Sequence, residues 1–283
     1  MSTSIEIVVN FLTMLFEKGL SYSSLNTARS SLSSFIFIDK KPVGEHFLII
    51  RLLKGFFNLR PALPKTSCVW NPDSVLEALA KIAPAKFLDL SQLSRKLVCL
   101  LALVTGHRVH TLHMLDINHM TVTLQYVQFV IPNITKTTRP GFHPEPIFLE
   151  KFDQDKRLCV VFYIREYLER TREIRGDVSQ LFITYQKPFK AATKGTIARW
   201  IKSQLSKCGV DMKHFTPHST RSAATSRACQ LVPLTTVLKN AAWTNQSTFA
   251  KHYHKPIMGE QSFAKPILEN VVKKRRGGEV TLM

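Results

Sequence analysis

Two prolines in the stretch Arg60-Pro-Ala-Leu-Pro-Lys65 forbid one continuous helical body through the first hundred residues. Each removes a backbone donor and biases its predecessor towards extended geometry, so the chain divides here. What precedes reads as helices. Val8, Phe11, Leu12, Leu15 and Phe16 recur at helical spacing, and the pattern stops at Gly19, which suits a left-handed C-terminal cap. Apolar-periodic segments follow at 24–37 and 44–57, the second interspersed with Arg51 and Lys54. Phe11, Phe16, Phe35 and Phe37 share the helical spacing and are expected in the core rather than as base-stacking platforms.

Beyond the prolines, Asn71-Pro72 opens a second unit, with Asn able to cap and Pro suited to a first helical turn. The pattern predicts helices over 72–83 and 91–105. From 121 to 131 the chain turns β-branched and aromatic, and 146–149 resumes that character after the basic connection Thr135-Lys-Thr-Thr-Arg-Pro-Gly141. Helix is expected again over 157–172, a short strand over 181–184, helix over 193–208 closed by Gly209, and helix from 217 to 253. The fold class expected is mainly α with a small antiparallel β-sheet (α+β). Its parts are a helical domain over 1–66, a larger domain over 67–270 and a basic tail over 271–283.

Charge narrows the partner. Lys and Arg number 39 against 20 Asp and Glu, a formal net charge of +19 spread along the whole chain. Such a field draws in polyanions, double-stranded DNA foremost, with an anionic membrane surface as competitor. The most apolar run, Leu97 to Val104, is far too short to cross a bilayer, so no membrane is expected. The start lacks the basic, apolar and small-residue regions of a secretory signal. Cys68, Cys99, Cys159, Cys208 and Cys229 contain no C-x-x-C pair, which argues against a zinc ribbon or a disulfide framework. An intracellular protein is expected.

Four local features carry chemistry jointly, though each alone is ordinary. Thr105-Gly-His-Arg-Val109 places Arg108 just beyond a helix end. Lys136 lies in the basic connection, with Arg139 a less favoured substitute. His218-Ser-Thr-Arg221 follows Thr216-Pro217 and sets imidazole and guanidinium on one helix face. Trp243 and Tyr253 come last, with Tyr253 among Lys251, His252, His254 and Lys255. Guanidinium forks match the non-bridging oxygens of a phosphodiester, and a tyrosine hydroxyl can attack its phosphorus.

In this order the features resemble the tyrosine recombinase (phage integrase) family, whose signature is Arg, Lys, His-x-x-Arg, His or Trp, then Tyr. The resemblance covers about 105–256. The string from Ala242 to Tyr253 looks most like the recombinases of DIRS-type and Crypton mobile elements, which favour Trp at the His/Trp position. Two departures stand out. Val109-His110-Thr111 replaces an acidic residue frequent after the first arginine, and the interval from Trp243 to Tyr253 is one residue longer than in many bacterial relatives, which leaves His252 at the usual place.

The resemblance implies the family's catalytic fold behind a helical, SAM-like core-binding domain, the two clamping duplex DNA. The N-terminal domain is short for the family, so a truncated copy is an expectation. Arg108 and Arg221 would hold the phosphate, Lys136 would protonate the 5′-hydroxyl leaving group, and His218 would assist proton transfer. Trp243 would donate its indole N–H to the phosphate, and Tyr253 would form a 3′-phosphotyrosyl link. No cofactor and no metal are required. A homodimer to homotetramer on DNA follows, with the segment after Tyr253 as an inter-subunit contact. Lys187, Lys190 and Lys194 are candidate phosphate contacts. Lys273-Lys-Arg-Arg276 is a candidate nuclear localisation patch, giving a nuclear protein, or a nucleoid-associated one in a bacterium. The rival functions are a DNA-binding descendant that no longer cuts and a monomeric enzyme like the type IB topoisomerases.

Overall fold

The computed structural model describes residues 5–61, 67–134, 138, 140–141, 145–242 and 246–259, with only the backbone described at Thr248, Lys251 and His252. It divides the chain into two compact units, Met1–Lys65 and Thr66–Met283. The fold is helix-rich, with small antiparallel sheets.

The first unit holds helices α1 (Ile5–Glu17), α2 (Tyr22–Ser33) and α3 (Phe47–Leu59), and two-residue strands β1 (Phe37–Ile38) and β2 (Lys41–Pro42). Val8 and Leu12 of α1, Leu25 of α2, Val43, and Ile49, Leu53 and Phe56 of α3 form its core. Phe16 stacks on Phe56 at 4.3 Å, and the Arg60 guanidinium lies 4.1 Å from the Phe16 ring centroid. Arg60 also donates to the carbonyls of Phe16 and Leu20, tying the end of α3 to the end of α1. Of the four phenylalanines expected inside, Phe11, Phe35 and Phe37 are exposed. Phe11 lies with Ile7 and Met14 on the stripe of α1 away from Val8 and Leu12, while α2 stops at Ser33 and releases Phe35 and Phe37 from helical spacing.

In the second unit, α4 (Pro72–Lys81) begins as its sequence demands, with the Asn71 side chain accepting from Asp73 N–H and Pro72 in the first turn. Helix α5 (Leu90–Thr105) starts at a capping box between Asp89 and Gln92 and runs through the core, buried almost continuously from Leu93 to Leu103. Helices α7 (Val160–Thr171), α8 (Lys194–Lys207) and α9 (Ser219–Leu231) pack around it, and the short α6 (Val109–His113) follows it directly.

Strands β3 (Met120–Val122), β4 (Tyr126–Phe129) and β5 (Ile147–Glu150) pair antiparallel in that order, with Phe129 opposite Ile147 and Val127 opposite Leu149. The β-branched stretch over 121–131 thus makes two strands, β3 and β4, joined as a hairpin. The Thr123 hydroxyl accepts from the N–H groups of Gln125 and Tyr126 and turns the chain there, a local bond that competes with extended structure. In place of a strand over 181–184 there are isolated bridges at Gln180 and Ile183, and α7 starts at Val160, three residues after the expected position.

The helix expected from 217 to 253 is three: α9, α10 (Leu234–Asn240) and α11 (Gln246–His252). Val232 leaves helical geometry before Pro233, as a residue preceding proline must, and Ala242 takes a positive φ of 52°. After α11 the chain returns to the start of the unit. Val69 N–H donates to Pro256 at 2.9 Å, Met258 N–H donates to Val69 at 2.7 Å, and Ile257 is buried between them.

Candidate active site

Gly106 ends α5 with φ +61°, a left-handed cap that reverses the chain and delivers Arg108 to the N-cap position of α6, half-buried. His107 between them is buried. Burial, then the charges of Arg221 and Arg108, push its imidazole down to about 4, so it is neutral near pH 7. A β-carbon on Gly106 would stand 3.0 Å from the Thr225 Cγ2 of α9, so the turn also permits close helix packing.

Helix α9 supplies the facing wall. His218 sits exposed at its N-cap, and Arg221 points inward from its first turn, 1% exposed. The Arg221 guanidinium donates to the Gly106 carbonyl at 2.7 Å and to the Ala241 carbonyl at 2.6 Å. It thereby joins the turn that carries Arg108 to the end of α10. Burial first, and then the nearby Arg108, lower its affinity for a proton, while Tyr253 opposes that shift. A guanidinium starts so high that it stays charged.

Tyr253 directly follows α11 and is half-buried. Its hydroxyl lies 3.5 Å from His218 Nε2, and the two rings meet edge to face at 6.0 Å. The Arg221 guanidinium carbon is 5.4 Å from the tyrosine ring centroid. Arg108, His218, Arg221 and Tyr253 therefore converge from three separate places in the second unit, the start of α6, the start of α9 and the end of α11. Lys136, its substitute Arg139, and Trp243 lie outside the described residues, as does the tail from 260 onward with Lys273–Arg276.

Three supporting residues escaped sequence reading. The buried Trp70 donates its indole N–H to Ser219 Oγ at 2.8 Å, pinning the start of α9. Ser226 hydrogen-bonds the backbone on both sides of His254, at the Tyr253 carbonyl and the Lys255 N–H. His107, next to Arg108 in sequence, is buried within reach of the charges of both Arg221 and Arg108. Among the described residues no cluster of three or more His, Cys, Asp or Glu is set to hold a metal. The five cysteines are free thiols. An arrangement of two guanidiniums, an imidazole and a phenol can hold an anionic phosphate ester and deliver a nucleophile to it.

The sequence matches the phage integrase family over residues 72–258, more than half of the chain. No curated protein matches it. Among solved structures, it is similar to the XerH site-specific recombinase bound to a palindromic difH substrate in a post-cleavage complex. That match has TM-score 0.58, 14% identity, and covers 96% of this chain and 72% of the other. The Tn1549 transposon integrase in complex with transposon right-end DNA gives 0.56 at 17% identity, covering 96% and 86%. A lambda integrase dimer bound to a COC′ core site gives 0.53 at 16%, covering 92% and 82%. At such identities the likeness shows the fold, that of the tyrosine recombinase catalytic domain behind a helical domain.

Proposed function

Because the chain belongs to the phage integrase family, the tyrosine recombinases, we propose that it cuts and rejoins double-stranded DNA through a covalent bond between Tyr253 and a 3′-phosphate. The observation that carries this is the Tyr253 hydroxyl 3.5 Å from His218 Nε2, with the Arg221 guanidinium beside its ring. The phenolic oxygen attacks phosphorus and the P–O5′ bond breaks. His218 takes up the phenol's proton, and Lys136 gives one to the departing 5′-oxygen. A second 5′-hydroxyl reverses these steps, so the bond energy is kept and no nucleotide is consumed. Arg108 and Arg221 neutralise the non-bridging oxygens, where negative charge grows in the transition state. Trp243 adds an indole donor to the same phosphate. Arginine clamping suffices to offset the ester's charge, so this reading needs no cofactor.

The DNA-bound recombinases that share this fold, a dimer and a tetramer of lambda integrase among them, support duplex DNA as partner and assembly of dimers into tetramers. The run from Ala242 to Tyr253, with tryptophan ahead of the tyrosine, supports descent from a mobile element of the DIRS or Crypton kind. Lys273–Arg276 supports a nuclear address.

A nicked duplex that loses its short 5′ fragment traps the intermediate. Wild-type protein is expected to acquire a denaturation-resistant DNA adduct, and Tyr253→Phe none. An adduct in the Phe variant would remove Tyr253 from the role. Salt-sensitive binding without any adduct in the wild type would leave a DNA-binding protein that does not cut.

A further inference from the structure

We propose that Ser226 is a positioning residue for the nucleophile, fixing the backbone that carries Tyr253 to the helix that carries His218 and Arg221. The inference rests on the reading of Tyr253 as nucleophile.

Ser226 lies on α9, is 2% exposed, and uses both capacities of its hydroxyl on a distant segment. It donates to the Tyr253 carbonyl at 2.9 Å and accepts from the Lys255 N–H at 3.0 Å, across separations of 27 and 29 residues. A helical serine or threonine hydroxyl commonly bonds back to its own helix. The neighbouring Thr225 does so, donating to the Arg221 carbonyl at 2.6 Å. Ser226 turns its hydroxyl to the tyrosine segment instead.

Geometry gives the contact its meaning. Arg221 and Ser226 are about 7.5 Å apart along the helix axis at the usual rise per residue. One rigid element thus holds the groups that face the phenol and the backbone from which the phenol extends. Tyr253 N–H also bonds the Phe249 carbonyl at 2.8 Å, which continues the end of α11 into the site. Without Ser226 the chain between Phe249 and Val69's partner Ile257 would lose two hydrogen bonds that hold its backbone to α9. The phenol would then sample a wider arc, and displacements of about an ångström cost up to roughly a hundredfold in rate.

The test compares Ser226→Ala, Ser226→Thr and Ser94→Ala with wild type on the nicked duplex under single turnover. Ser94 is an equally buried hydroxyl on α5 and controls for general loss of stability. At saturating DNA, Ser226→Ala is expected to slow adduct formation by about tenfold to a hundredfold with DNA affinity unchanged. Ser226→Thr, which keeps the hydroxyl, restores most of the rate, and Ser94→Ala keeps the wild-type rate. If the alanine variant does not fold, Ser226→Cys takes its place as an isostere with a weak donor. A wild-type rate in Ser226→Ala or Ser226→Cys, or an equal slowing in Ser94→Ala, overturns the role of Ser226 and leaves Tyr253 standing. Absence of an adduct in the wild type removes Tyr253 as nucleophile and the positioning role with it.

Discussion

Arg221 is the residue on which the site's architecture and its proposed chemistry coincide. Its fork closes the turn at Gly106 and the end of α10 while its charge sits over the Tyr253 ring. Each carbonyl left without its donor in a truncated variant costs roughly 1–3 kcal/mol, so loss of activity in Arg221→Ala would mix folding with chemistry. His107 offers a cleaner measurement. Above pH 6.5 the ring is neutral in both folded and unfolded protein and has no effect on stability. Below that the unfolded chain binds a proton that the folded protein refuses until about 4. Stability therefore falls between these values, by about 3 kcal/mol at most, and levels off below them. Urea unfolding at pH 7 and pH 4 is expected to show a smaller loss for His107→Gln than for wild type. An equal loss would assign the acid sensitivity elsewhere. The ordered series of Arg108, His218, Arg221 and Tyr253 could be read because each is a chemically specific residue in a recognisable order. Trp70 and Ser226 could not, since their partners lie 149 and 27 residues away and nothing in a hydroxyl's local sequence announces a distant carbonyl.

At the scale of elements, caps were readable and interruptions were not. Asn71-Pro72 and the glycines at 19, 106 and 209 punctuate helices through local backbone chemistry, the three glycines with positive φ. The hairpin at Thr123 depends on one hydroxyl's choice of bond, and the break at Ala242 on a left-handed conformation that alanine does not advertise. Gly106 shows how such an element serves the site, because its positive φ and its closeness to Thr225 make two separate demands. Gly106→Ala is expected to cost about 1–2 kcal/mol from backbone strain alone, with more from the contact. Adding Thr225→Ser, which removes Cγ2, should return the contact part only. Thermal unfolding of the single and double variants checks this, and full recovery in the double variant would refute the strain component.

For the whole molecule, charge sets the expected behaviour on DNA. No helix among the described residues is long and apolar enough to cross a membrane. With a net charge of +19, binding through six to ten phosphates would weaken by about 10³–10⁵ between 50 and 200 mM salt. In the first unit, Arg51 and Lys54 are exposed on α3 while Leu53 and Phe56 hold that helix to the core. Replacing both with alanine should lower the slope of log affinity against log salt by about 2, read by fluorescence anisotropy on a labelled duplex. An unchanged slope would take α3 out of the interface. The helical character of both units was visible as apolar periodicity. Which apolar residues stay outside was not, because Ile7, Phe11 and Met14 form a stripe as regular as the one that is buried.

The pairing of Val69 with Ile257 has a consequence for how the second unit can be inherited. Segments at the two ends of the family-matched stretch lie side by side, so this stretch of chain nearly closes on itself. A ring of this kind can be inserted between unrelated neighbours, or reopened at an exposed turn after its ends are joined, without stretching its interior. The residues proposed to perform chemistry and the residues that close the stretch on itself are then separate inheritances, and Tyr253 lies only four positions from the seam.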